Sequence, residues 1–157
     1  MLINNFSFFT AVNGQFAGKD LDSSEKFLLG GPTGVRAYPT GEASGDDGWV
    51  TNVELRYDVP LITKLGVLQL VGFYDIGGIA RYKNTWDGWN SGAPNEPNHY
   101  TLSGAGLGVN LLKSTNYAVR VSYAWTIGDN PGRSLSGANS DGKHKTGMLW
   151  VQLIINF

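Results

Sequence analysis

Residues 117–127, YAVRVSYAWTI, place Tyr117, Val119, Val121, Tyr123, Trp125 and Ile127 at odd positions and Ala118, Arg120, Ser122, Ala124 and Thr126 at even ones. Successive side chains of a strand point to opposite faces, so this segment is a strand with one apolar and one polar side. The scheme recurs along the chain. Residues 49–59, WVTNVELRYDV, set Trp49, Val53, Leu55, Tyr57 and Val59 against Asn52, Glu54, Arg56 and Asp58. Residues 6–16 set Phe6, Phe8, Val12 and Phe16 against Ser7, Asn13 and Gln15, with Phe9 on the polar side. Residues 67–78 and 100–112 alternate less cleanly, because glycines interrupt them. The last segment, MLWVQLIINF, places Leu149, Val151, Leu153, Ile155 and Phe157 opposite Gln152 and Asn156. No helical period competes, so the fold class is all-β, an antiparallel meander of six strands.

Short turns at 59–66 and 112–116 alternate with long Gly, Asn and Pro-rich connections at 29–48, 83–99 and 128–147. Only 16% of the residues are charged, where a soluble domain has roughly a quarter. Aromatic residues gather near the ends of the apolar faces: with a strand tilt of about 40°, Tyr117 and Trp125 lie roughly 20 Å apart across a membrane. Short turns on one side, long polar loops on the other and aromatic rims point to a transmembrane β-barrel in the bacterial outer membrane, facing lipid. A soluble β-sandwich is the alternative that alternation alone allows. No run of about 18 apolar residues marks a membrane helix, which leaves a barrel untouched. Six strands are fewer than the roughly eight of the smallest membrane barrels. Residues 1–157 are therefore expected to be one incomplete domain, the carboxyl-terminal part of a barrel whose first strands and amino-terminal periplasmic domains lie outside it. The first twenty residues carry no signal-peptide pattern.

The formal charge of −1 attracts no nucleic acid, and the chain has no cysteine for a thiolate site. His99 and His144 are its only histidines, so a histidine triad or multi-histidine metal site is not expected. Gly104, Gly106 and Gly108 imitate a dinucleotide fingerprint but sit in a strand with no helix after it. Gly30, Gly31 and Gly34 are followed by no Lys-Ser/Thr pair and serve conformation rather than phosphate binding. Asp46-Asp47 and Asn139-Ser-Asp141-Gly142 have calcium-ligand chemistry, although turns use the same residues. WDGWNSG and SGANSDGKHK mix Trp with Asn, Asp and Gly, the basis of a second alternative, a carbohydrate-binding module. The expectation is no enzyme, no cofactor and no metal.

Residues 27–46, FLLGGPTGVRAYPTGEASGD, resemble the sixth extracellular loop of two-partner-secretion transporters, the haemolysin secretion/activation proteins, whose pattern is F-x-x-GG-x-x-x-VRGY. FYDIG, residues 73–77, is similar to the superfamily's F-x-D-x-G strand motif, and the terminal Phe157 to the signal read by the barrel-assembly machinery. The resemblance spans essentially all of the chain as the last six strands of a sixteen-stranded barrel. It implies a translocator that exports a secreted passenger of haemolysin or adhesin type, with loop 20–48 folded into the lumen. A barrel-assembly insertase of the same superfamily shares these motifs. The resemblance further implies a loop motif of Gly30, Gly31, Val35, Arg36, Ala37 and Tyr38, with Arg36 held by Asp75 and Glu54. It implies a strand motif of Phe73, Asp75 and Gly77, and an assembly signal in Phe157. Ala37 stands where the family pattern has Gly. If that position needs positive φ or close approach, the methyl costs about 1 kcal/mol or shifts the loop tip.

Overall fold

The computed structural model describes residues 5–60, 65–91, 96–113 and 116–156. In chain order the strands are β1 (Phe6–Gln15), β2 (Phe27–Leu28), β3 (Ser44–Gly45), β4 (Asp47–Asp58), β5 (Val67–Ala80), β6 (His99–Lys113), β7 (Tyr117–Ile127) and β8 (Gly147–Ile155). Six of them form a single sheet in the order β1-β4-β5-β6-β7-β8, antiparallel at every step. The two-residue strands β2 and β3 pair with each other inside the first long connection. Apart from that insertion every strand pairs with its chain neighbour, which is the expected meander.

The first long connection begins and ends earlier than residues 20–48. Strand β5 continues two residues past 78, and the ladder Asp47↔Ala80, Gly48↔Ile79 draws Asp47 and Gly48 into β4. Residues 16–46 are what remains between β1 and β4. Hereafter they are the inserted loop.

One face of the sheet is bare hydrocarbon. Phe8 is 69% exposed, Leu107 63% and Val151 66%, and Val12, Leu55, Leu70, Tyr123, Leu149 and Leu153, on the same face, are exposed as well. In water such a surface would be covered by a second sheet. Among the described residues no sheet covers it, the β2–β3 pair lying on the other face, so the sandwich alternative fails and the face is one built for lipid. Aromatic pairs mark both its ends: Phe6 meets Tyr57 with ring centres 4.7 Å apart at the short-turn end, and Tyr123 meets Trp125 at 4.9 Å nearer the long-loop end.

The other face holds the core, and the inserted loop supplies much of it. Leu29, Val35, Tyr38 and Ala43 of the loop pack on Val50, Val71, Phe73, Leu102 and Ala124 of the sheet, all buried. Polar residues expected on this side do lie there: Asn52, Glu54 and Arg56 alternate with the outward Trp49, Val53, Leu55 and Tyr57 of β4. Phe9 is also inward, where its ring lies under the Arg56 guanidinium at 4.3 Å.

Candidate functional site

The inserted loop enters the sheet's inner face as a hairpin. At its neck the β2–β3 ladder is extended by Leu29 N–H donating to Ala43 O at 2.9 Å. Beyond the neck the chain turns back on itself: Val35 N–H donates to Leu29 O at 2.8 Å, and Gly30 bridges Val35. Only glycine fits this crossing. A Cβ on Gly34 would lie 2.0 Å from Leu29 O, one on Gly30 2.3 Å from Pro39 O, and Gly31 has φ +121°. The GG-x-x-G spacing is thus the hairpin tip itself.

Arg36 leaves this tip toward β4 and β5. Its Nε donates to Asp75 Oδ2 and its Nη2 to Asp75 Oδ1, both at 2.8 Å, a bidentate pair. Its Nη1 donates to Glu54 Oε1 at 2.7 Å, and its backbone N–H reaches Asp75 Oδ2 at 3.1 Å. Asn52 Nδ2 completes the set by donating to Asp75 Oδ1 at 2.8 Å and to Gly34 O at 2.9 Å. Asp75 therefore accepts four hydrogen bonds, the full acceptor capacity of a carboxylate. Its side chain is 0% exposed and that of Arg36 12%, so each buried charge has its compensation in the other. Arg56 closes the chain of charges on Glu54 Oε2 at 2.7 Å. Two arginines and two acids leave the site neutral.

Packing fixes the guanidinium as firmly as charge does. The Phe73 ring lies 3.6 Å beneath Arg36 Cζ, and Trp150 Nε1 of β8 donates to Arg36 O at 2.7 Å. Arg36 is thus bonded to β4, β5 and β8 at once, and the sheet wraps around the tip. Ala37 is buried against β6, where a Cβ on Gly104 would lie 2.4 Å from the Ala37 Cβ. The methyl at 37 occupies the space that the missing side chain at 104 leaves. Gly77 makes similar room, since a Cβ there would meet Leu29 Cδ1 at 2.4 Å. The Gly104, Gly106 and Gly108 series is the inward floor of this trough, not a nucleotide fingerprint.

Tyr38 follows, fully buried, its hydroxyl without a hydrogen-bond partner among the described residues. Burial pushes that hydroxyl up to about 12. At the rim, Asp46 is 0% exposed and takes the Lys26 ammonium at 2.9 Å and Lys83 N–H at 2.8 Å. Asp47 takes Ala17 N–H at 2.7 Å and the Lys83 ammonium at 2.8 Å. Asp20 accepts Asn84 N–H at 2.9 Å, a bond that holds its carboxyl below the ordinary aspartate range against desolvation. These carboxylates fasten the inserted loop to Lys83 and Asn84, and turn chemistry occupies the pair that has calcium-ligand character. Below the tip remains a cavity of about 550 Å³, lined by Arg56, Gln69, Asn110 and Gln152 among others.

The structure brings together Gly30, Gly31, Val35, Arg36, Ala37, Tyr38, Glu54, Phe73, Asp75 and Gly77 around one hairpin. Phe157 lies outside the described residues. Sequence reasoning missed Asn52, Arg56 and Trp150 as parts of the site. Asn52 and Arg56 share the parity of Glu54, and Trp150 is an aromatic on the polar side of its strand, a break in alternation like Phe9.

Residues 3–138 match the model of the Omp85 superfamily domain. The chain is 35% identical over its full 157 residues to the heme/hemopexin transporter protein HuxB of Haemophilus influenzae strain 86-028NP, and 34% identical to that of strain Rd. It spans 25% of the length of these relatives. No solved structure matches it.

Proposed function

Because this chain belongs to the Omp85 superfamily of bacterial outer-membrane proteins, we propose that it is the carboxyl-terminal part of a barrel that exports a large secreted partner protein by two-partner secretion. The bidentate Arg36–Asp75 pair carries this reading: it holds a 31-residue connection, residues 16–46, inside the space a passenger would cross. A buried ion pair positions more surely than it stabilises, which suits an element that must be seated at rest and displaced in use. Both β1 and β8 have one partner among the described residues, and a barrel in lipid leaves no open edge. This supports six strands completed by others of the same protein, as does the quarter share of the relatives' length.

In the proposed cycle the passenger enters from the short-turn side, reaches the cavity below the tip, and advances once the hairpin gives way. Nothing here hydrolyses a nucleotide; folding of the passenger outside draws it through. The relatives' name, heme/hemopexin transporter, makes a passenger concerned with heme or hemopexin the first candidate to test. It also favours transport over the barrel-assembly reading. Phe157 directs insertion by the barrel-assembly machinery, and outer-membrane lipid covers the bare face. Arg36→Ala should lower secretion of the passenger while leaving the amount of assembled barrel largely unchanged. Secretion at the unmutated rate would remove the assigned role.

A further inference from the structure

Arg36 does not hold the inserted loop alone. Nearer the mouth, Glu42 is 6% exposed and takes both its hydrogen bonds from neutral donors, Asn130 Nδ2 to Oε1 and Ser140 N–H to Oε2 at 2.7 Å. Both donors belong to the connection between β7 and β8, 88 and 98 residues farther along the chain. That connection folds back over the mouth. A Cβ on Gly132 would lie 2.2 Å from the Tyr100 hydroxyl on the inner face of β6, and Asn130 Oδ1 accepts Gly132 N–H at 3.0 Å, which holds the amide toward Glu42. Tyr38, with its unpartnered hydroxyl, is buried in the covered loop.

We propose that residues 128–146 are a second latch on the inserted loop, with Glu42 as its positioning residue, so that the hairpin leaves the lumen only after this outer contact opens. The two latches differ in kind. Releasing Arg36 separates buried opposite charges, whereas releasing Glu42 exchanges two neutral donors for water at the mouth. The outer latch is therefore the one that opens first. This inference rests on the loop's proposed role in transport, but its test does not.

These 157 residues contain no cysteine, so in the complete protein in its outer membrane, with any cysteine outside them replaced by serine, Ala43→Cys, at a position 1% exposed, reports opening. A membrane-impermeant maleimide is added from outside and its rate followed. Asn130→Asp sets a second carboxylate against Glu42 and should speed labelling about tenfold or more, as like charges at hydrogen-bond distance repel. Adding Glu42→Gln reverses donor and acceptor: the Gln amide donates to Asp and its oxygen accepts Ser140 N–H. Labelling should then return to within about threefold of the parent, the coupling expected of a direct contact. Labelling of N130D at the parent rate, or a fast rate that the swap does not reverse, overturns the latch. If N130D does not assemble, Ser140→Pro deletes the other donor, and an unchanged rate there overturns the latch too. Labelling that follows the swap while secretion stays constant upholds the latch and counts instead against the loop's role in transport.

Discussion

Asp75→Asn isolates the charge of the inner latch without changing its shape. Asp75 accepts Arg36 Nε, Arg36 Nη2, Arg36 N–H and Asn52 Nδ2. An amide there turns one oxygen into a donor facing donors and leaves Arg36 with Glu54 as its only anion. Removing one partner of a buried pair costs about 3–5 kcal/mol. Arg36 keeps its 2.7 Å bond to Glu54, so the lower end, about 3 kcal/mol, applies, and at about 1.4 kcal/mol per decade this raises the released fraction of the loop roughly a hundredfold. Trypsin added outside cells reads that fraction, because it cuts after Arg36 only when the guanidinium is free. When opening is fast relative to cleavage, the rate follows the open population. Cleavage after the exposed Lys19 serves as the internal control and should not change. A D75N rate after Arg36 within about threefold of wild type, at equal barrel level, would refute the claim that this ion pair seats the loop, since that is under 1 kcal/mol.

Gly104→Ala should unseat the tip by overpacking Ala37, at about 1–3 kcal/mol, and Ala37→Gly added to it should restore seating in part, since a Cβ at 104 would still meet Trp125 O at 2.9 Å, both read by the same cleavage. On the bare face, Leu107→Arg should cost about 2–4 kcal/mol if it sits near the bilayer midplane. It should reduce the folded, heat-modifiable fraction on gels, whereas Asn110→Arg, on the inner face three residues away, should leave that fraction unchanged.

Alternation was enough to assign sides in the cleanly patterned segments 49–59 and 117–127. Period two states which residues share a face, and the outward Trp49, Leu55 and Tyr57 and the inward Asn52, Glu54 and Arg56 follow from it. The exceptions were as informative: Phe9, inward among polar residues, stacks beneath Arg56. Arg36 and Asp75 were legible as partners only through the resemblance of their two motifs, since nothing local joins residues 39 apart.

Register and long-range closure belonged to the tertiary structure. Alternation leaves the pairing of neighbouring strands free by any even number of residues, and the fold selected Asn52↔Asp75↔Gly104, the row on which Arg36 and Ala37 land. That row explains why alanine is accommodated at 37, for the compensating glycine stands 67 positions away in β6. Trp150 on Arg36 O and Asn130 and Ser140 on Glu42 arise the same way, from the sheet bringing its last strands around to the loop after its first. A sequence records the faces of its strands in local order. It does not record which distant backbone will stand opposite, because that is settled by packing the loop into the space the whole sheet encloses.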